Sequence, residues 1–492
     1  MKTRILPILA LVISATSVMA QNEDDAIRYS NVIPMGTAKF ISMGGAMGAI
    51  GGDLSAISIN PASVAVYRNN QISFTPMWNT EKSKTKYYGT TTNANSSDFK
   101  FSNVGIVSVF PTYEDAGFIS FSAGIGYNRI ANFDGGYVAK GYNDMSSMLD
   151  KEFNDFLDDK WIGNVFYQSD LIWYDTTTNQ YTTDYIYDDD NTGVVMRGAN
   201  QHKSVSTSGS LGEYNFSLGF NINNKFYIGG SMNVVRVDYR QLSKYTETPD
   251  IEAFAINDFT VTDEFTTIGS GINMKLGMIG WLTDNIRIGA AFQTPTILNL
   301  SDDYGTRVES NIWWIDNETG EPFKNNKKNS SYGDVDWNLT LPAKILGSVA
   351  FVLPQRGMID IDCEVVNYAT TSLDDSDEYI GNEYEDINNS IADIYHTTLN
   401  LRLGGELSFG PMVARGGFGF YGSPYKSGYE NSSAHRMVYS LGVGYRTQHF
   451  SFDVGYSLST RKSTQYLYSY TNSATSLKTN NSALAMTFGF RF

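Results

Sequence analysis

Along most of the chain, apolar residues fall on every second position. In Tyr214–Ile222 the apolar set is Tyr214, Phe216, Leu218, Phe220 and Ile222, separated by Asn215, Ser217, Gly219 and Asn221. Met437, Tyr439, Leu441, Val443 and Tyr445 repeat the pattern, as do Phe450, Phe452, Val454, Tyr456 and Leu458. Ile359, Ile361, Cys363 and Val365 alternate with Asp360, Asp362 and Glu364. A period of two belongs to a strand with one apolar and one polar face. The pattern predicts strands at 69–80, 99–111, 117–131, 205–222, 225–240, 265–281, 286–299, 336–353, 358–370, 396–409, 411–421, 435–446, 449–461 and 481–492, fourteen in all.

A soluble sandwich gives the same alternation, so the connections must decide. Those at Thr112–Ala116, Asn223–Asn224, Leu282–Asn285, Pro354–Gly357, Gly410 and Thr447–Gln448 are short. Those at 81–98, 132–204, 241–264, 300–335, 371–395, 422–434 and 462–480 are long, and the two kinds alternate strictly. Tight turns on one side, long loops on the other and an even strand count describe an outer-membrane barrel. A sandwich has no reason to sort its loops. The expectation is an all-β, fourteen-stranded antiparallel transmembrane barrel over 68–492, with both chain ends on the short-turn side.

The first residues agree with export. Lys2 and Arg4, the apolar run Ile5–Val18 and Val18-Met19-Ala20 read as a cleaved signal peptide over 1–20. No later run reaches the ~18–20 apolar residues of a spanning helix. Cys363 is the only cysteine, so no intramolecular disulfide forms and stability must come from a large core or a closed barrel. The formal net charge of -16 argues against nucleic acid, which needs a basic face.

Between leader and first strand lies a segment, 21–67, that alternates in neither fashion. Gly44, Gly45, Gly48, Gly51 and Gly52 punctuate it, and Met43, Met47, Ile50, Leu54, Ile57 and Ile59 give it matter to bury. It lacks Gly-x-Gly-x-x-Gly and the βαβ setting of a phosphate loop. It is too small to hold a core of its own, so it must pack inside something larger. Asp24-Asp25-Ala26 with Arg28-Tyr29, then Gly36-Thr37-Ala38, Met43-Gly44-Gly45-Ala46 and Asn60-Pro61-Ala62, resemble the N-terminal hatch of the FadL/TodX family of outer-membrane transport proteins.

The resemblance implies a barrel plugged by this hatch in a Gram-negative outer membrane, passing hydrophobic compounds such as long-chain fatty acids or aromatic hydrocarbons without energy input. Some relatives carry a haemin-receptor label, which adds haemin to the implied cargoes. It makes Asn60, Pro61, Ala62, Gly44 and Gly45 candidates for seating and gating the hatch, and Met43, Met47, Ile50 and Leu54 candidates for an apolar ligand path. In the family a kink in the third strand opens a gap towards the bilayer; here Gly124 and Gly126 are the candidates. The final strand carries Leu484, Met486, Phe488, Phe490 and Phe492 on one face and stops at Phe492, resembling the signal read by barrel-assembly machinery. The other implied partners are outer-membrane lipid and lipopolysaccharide, and the state is a monomer.

Catalytic and metal chemistry find little support. His202, His396, His435 and His449 are scattered, with no ligand spacing and no nucleophile elbow. No cofactor or metal is expected. Asp188-Asp189-Asp190-Asn191 lacks a calcium-loop spacing and reads as a solvated loop. Trp161, Trp173, Trp313 and Trp314 fit loop packing as well as sugar or lipid binding. If the greasy alternates face lipid, then Lys275, Arg287, Lys344, Asp360, Asp362, Glu364, Arg402, Glu406, Arg415 and Asp453 face inward, where mixed signs favour pairing with each other and with hatch backbone. The alternative function is a non-transporting barrel that acts as an adhesin through its long loops.

Overall fold

The computed structural model describes residues 22–112, 114, 116–159, 164–177, 179–183, 186–189, 193–196, 198–249, 256–315, 322–375, 384–468 and 474–492. The leader, Trp161 and the Asp190-Asn191 end of the acidic run lie outside the described residues. Fourteen antiparallel strands close into a barrel. They are β1 (Gln71–Tyr87), β2 (Thr90–Pro111), β3 (Phe118–Asn132 and Gly135–Asn143), β4 (Ala199–Ile222), β5 (Phe226–Pro249), β6 (Ile256–Trp281) and β7 (Ile286–Gln293 and Thr296–Ile315). There follow β8 (Pro322–Leu341 and Lys344–Leu353), β9 (Gly357–Asn367 and Ser372–Asp375), β10 (Thr397–Phe409), β11 (Met412–Tyr421), β12 (Arg436–Arg446), β13 (Phe450–Gln465) and β14 (Thr475–Arg491). Each pairs with the next, and β14 closes on β1 from Gln71↔Arg491 to Lys86↔Ser476.

The alternation does what it must in lipid. Phe216, Leu218, Phe220, Ile272, Met274, Leu276, Leu441 and Val443 are exposed on the outer face, and Asn215, Ser217, Asn273 and Ser440 are buried inside. Each backbone polar group in this band pairs with a neighbouring strand, which is why only a closed barrel can expose strands to hydrocarbon. The short turns lie on one side as expected. Asn223 and Asn224 take φ of 53° and 55°, the geometry of a tight hairpin turn.

Two expectations need correcting. Four of the long connections, 81–98, 241–264, 300–335 and 462–480, are largely strand among the described residues: β1 and β2 run on to a turn at Tyr88-Gly89, and β4 and β5 are 24 residues each, about twice the ~9–11 residues that cross a bilayer. These upper halves have solvent on the outer face, so Lys82-Ser83-Lys84-Thr85 shows no apolar alternation and reads as loop. The other concerns the chain ends. Phe492 lies on the short-turn side, its N–H bonded to Asn70 O at 3.2 Å. The helix α1 (Glu23–Ser30) instead sits high in the lumen against Tyr239, Trp337 and Tyr395.

Candidate functional site: hatch, cavity and cap in the lumen

The hatch begins with α1, capped by Asn22, whose side chain accepts from Asp24 N–H. From there the chain descends to α2 (Ala38–Ser42) and two 3-10 turns, Ala56–Ser58 and Pro61–Val66. Thr37 caps α2, accepting from Phe40 N–H at 3.1 Å and donating to Asp53 Oδ2 at 2.7 Å. Thr37 N–H donates to Ser55 Oγ at 2.7 Å, and Ser55 N–H to Asp53 Oδ1 at 2.8 Å. Gly36-Thr37-Ala38 is thus stapled to Asp53-Leu54-Ser55, a pairing that sequence reasoning missed. Asn60 caps the second turn by accepting from Ala62 N–H at 3.1 Å, with Pro61 at the first position, where no N–H is needed. Its Nδ2 donates to Gly48 O at 2.8 Å within the hatch and to Met278 O of β6 at 3.2 Å.

The wall is shaped to receive this segment. A side-chain Cβ at Gly277 would lie 2.0 Å from Asn60 Oδ1, at Gly229 2.4 Å from Pro61 O, and at Gly219 2.6 Å from Val64. On the far side, a Cβ at Gly417 would lie 2.2 Å from Gly44 N, at Gly404 2.5 Å from Met43 O, at Gly442 2.4 Å from Ser42 and at Gly455 2.4 Å from Ala38 O. These are inward-facing strand positions. Together they form a glycine belt into which the hatch backbone fits at van der Waals distance. The signal lay in the sequence, as glycine on the polar side of the alternation.

Charges complete the seat. Asp362 accepts from Met47 and Gly48 N–H at 3.2 Å, Asp360 from Ala49 N–H at 3.3 Å, and Arg287 donates to Ile50 O at 2.8 Å. Arg402 lies between Asp362 and Glu364, at 3.5 and 3.4 Å. Arg415 bonds Glu406 and Asp453, each at 2.7 Å. The mixed-sign inward charges therefore bind one another and the hatch backbone.

The candidate ligand-path residues have a different place. Met43, Met47, Ile50 and Leu54 are buried against the wall: the first three pack with Phe40 and Ala350, and Leu54 with Val64 and Val107. They are not among the residues that line the cavity nearest to them. The cavity lies above them, between the α1 end of the hatch and the wall. It is bounded by Tyr29, Val32, Pro34 and Ile59 on one side and by Ile130, Leu211, Val235, Leu341 and Leu346 on the other. Its water-accessible space is about 60 Å³, a handful of waters at roughly 10–15 Å³ each. Two ammoniums and two carboxylates, Glu213 and Glu364, border it. Lys275 is saturated by Glu213 at 2.6 and 2.8 Å and by Ser58 O at 2.7 Å. Lys344, by contrast, forms no ion pair among the described residues. The cavity sits where Pro342 interrupts β8 opposite the break in β7 at Thr294-Pro295, because proline has no N–H for the ladder.

Gly124 and Gly126, the candidates for the kink, lie in an unbroken part of the ladders. They pair in regular register with Val107 and Gly105 of β2 and with Ser217 and Asn215 of β4. A Cβ at Gly124 would meet Val64 of the hatch at 3.1 Å, so this glycine makes room. The irregularities lie on either side of them, between Phe118 and Ser120 and between Arg129 and Ala131, and the β2–β3 ladder ends at Asn103↔Asn128. Above it side chains link β3 to the β1–β2 hairpin: Lys100 to Asp134 at 2.8 Å and Asn132 to Asp98 at 3.3 Å join it to β2, and Gly136 N–H donates to Glu81 of β1 at 3.0 Å. Asn128 fastens the strand to the hatch through Met35 O and Ser58 Oγ.

The segment after β3 folds back as a cap. Its helices α3 (Met148–Asp159) and α4 (Val165–Gln168), with Leu171 just after them, bury Leu149, Phe156, Phe166 and Leu171 against Tyr245, Phe259 and Val308 of the upper barrel and Leu467 of the connection after β13. Below them lies a polar floor. Gln201 donates to Ser146 O at 2.9 Å, Tyr87 OH to Gln201 Oε1 at 2.6 Å, and Met148 N–H to Glu247 Oε2 at 3.3 Å. Burial pushes the Glu247 carboxyl up to about 7, against the opposing bonds from Ser147, Tyr245 and Met148. Burial likewise raises Asp150, at the start of α3, to about 6.

No protein-family model and no curated protein matches the chain. Solved structures do. A Pseudomonas aeruginosa FadL homologue matches with a TM-score of 0.56 at 13% identity, over 94% of this chain and 99% of that one. The P. putida toluene transporter TodX matches with a TM-score of 0.52 at 12% identity, over 93% and 98%. These likenesses establish the fold over nearly the whole chain: a hatch-plugged, fourteen-stranded transmembrane barrel.

Proposed function

We propose that this barrel is an outer-membrane channel for passive uptake of hydrophobic compounds, gated by its N-terminal hatch. The observation that carries the reading is the cavity between hatch and wall, apolar over most of its lining and bordered by the Lys344 ammonium, which forms no ion pair among the described residues, with the Glu213 and Glu364 carboxylates also on the lining. An apolar solute ending in an acid satisfies both surfaces, because a charge-assisted bond to Lys344 replaces the water it loses. Long-chain fatty acids fit this description, and haemin, with its propionates, is a second candidate. The two solved relatives support the reading: one is described as a FadL homologue, the other as a toluene transporter. The cavity is small, so passage requires movement of hatch or wall. The β2–β3 seam, whose ladder ends at Asn103↔Asn128, adjoins the cavity at Ile130.

The cap favours a second reading. It closes the upper mouth with a folded surface, which suits an adhesin. Uptake of labelled oleate, a small aromatic and haemin by cells with wild type, Asn60→Ala/Pro61→Ala or no protein separates the two, with a hydrophilic dye as leak control. The transport reading expects protein-dependent uptake of at least one apolar solute and an altered rate in the double variant. Protein-independent uptake together with protein-dependent adherence to other cells would replace it with the adhesin.

A further inference from the structure

A groove of about 390 Å³ lies on the outer wall, remote from the lumen. Tyr456, Leu458 and Thr460 of β13, Lys478 and Asn480 of β14 and Lys82 of β1 line it. The register concentrates charge here. Lys462 stands opposite Lys478, and Lys478 opposite Lys84. Lys82, Lys84 and Lys86 share the outward face of β1, with Ser83, Thr85 and Tyr87 turned in. All five lysines are exposed, and none forms an ion pair among the described residues. Their outward neighbours across the ladders are Asn95, Asn93 and Thr91 of β2, Asn480 and Ser476 of β14 and Thr460 of β13. There is no carboxylate among them.

Like charges directly opposite each other on adjacent strands destabilise a sheet. That a chain of formal charge -16 gathers five bare ammoniums on adjoining strands therefore needs a counter-charge. The height of the cluster says where it comes from. Trp78 and Phe99, 6.2 Å apart, and Tyr456 and Leu484 are exposed at the lipid-facing level below. Aromatic residues of this kind mark the membrane–water interface. Lys82 follows Trp78 by four residues, about 13 Å of strand before tilt is allowed for. The ammoniums thus stand at headgroup height above an apolar wall.

We infer that this groove binds a phosphorylated glycolipid of the outer leaflet, lipid A. Its acyl chains lie along Tyr456, Leu458 and Leu484, and its phosphates sit among Lys82, Lys84, Lys462 and Lys478. The spread of the lysines over three strands matches a headgroup carrying phosphates at two separated points better than a single phosphodiester. The site is independent of the hatch and of the transport reading.

The test uses the full chain in detergent, with native mass spectrometry as readout and heat-modifiability as the check of folding. The probes are bis-phosphorylated lipid A, chemically dephosphorylated lipid A, phosphatidylglycerol and inorganic phosphate. Wild type is expected to hold lipid A about tenfold or more tighter than the dephosphorylated form and than phosphatidylglycerol, because each lysine near a headgroup adds to the attraction. Lys82→Gln/Lys84→Gln/Lys462→Gln/Lys478→Gln should abolish that preference. The charge-matched control Lys225→Gln/Lys244→Gln/Lys324→Gln/Lys328→Gln should keep it. Equal binding of the phosphorylated and dephosphorylated forms, equal loss in both quadruple variants, or full competition by inorganic phosphate at equal concentration overturns the inference.

Discussion

Arg415 shows how a single side chain holds the lumen together. It is 4% exposed, and its guanidinium joins Glu406 of β10 to Asp453 of β13 across β11 and β12. Arg415→Met leaves two buried carboxylates, with Lys39 and Arg446 still near Glu406, so about 3–5 kcal/mol of stability should be lost. A lower temperature for the gel-mobility shift of the folded barrel would report it. Adding Glu406→Gln and Asp453→Asn should restore part of the loss. Lys344 belongs to the same scale but to function. Lys344→Met should cut oleate uptake about tenfold, the worth of one lost charge-assisted bond, and leave uptake of an uncharged aromatic unchanged. An equal fall for both solutes would assign Lys344 to structure alone.

Among the elements, the strands through the lipid band could be read from the sequence, since lipid outside and hatch inside enforce the period of two. Asp360, Asp362 and Glu364 could be placed inside for the same reason. The upper strands could not, because water outside removes the apolar face from segments such as Lys82–Thr85. In the sequence Gly124 and Gly126 permit a bulge or simply ease packing, because a glycine that bends a strand and one that admits a neighbour read alike; the approach of Val64 to Gly124 is visible only in the structure. The cavity was hidden because it is assembled from Tyr29, Ile59, Leu211 and Lys344, which sit on separate elements. The cap carries a pH dependence. Glu247 titrates near 7 in the folded protein, above an ordinary glutamate at about 4.3, so the folded cap binds more protons than the opened one. Cap stability should therefore fall as pH rises from about 4.5 to 7, and Asp150, raised to about 6, acts in the same direction. Hydrogen exchange of 147–157, corrected for its intrinsic pH dependence, should show lower protection at pH 8 than at pH 5. Glu247→Gln should flatten the upper part of that change.

At the scale of the whole molecule, the hatch and wall form one close-packed unit. Gly417→Val should push Gly44 from its seat, admit a hydrophilic dye and leave the barrel heat-modifiable, because barrel closure rests on inter-strand hydrogen bonds. The central claim is that apolar solutes cross only when the hatch moves. Ser58 and Asn128 touch across hatch and wall at 3.3 Å, a natural place for a lock. The decisive measurement is labelled oleate uptake by cells carrying Ser58→Cys/Asn128→Cys in a Cys363→Ser background, joined by a short thiol-cleavable cross-linker. Uptake should fall to the level of cells lacking the protein when the link is intact and return when it is reduced. Protein-dependent uptake that is unchanged by the lock would contradict it.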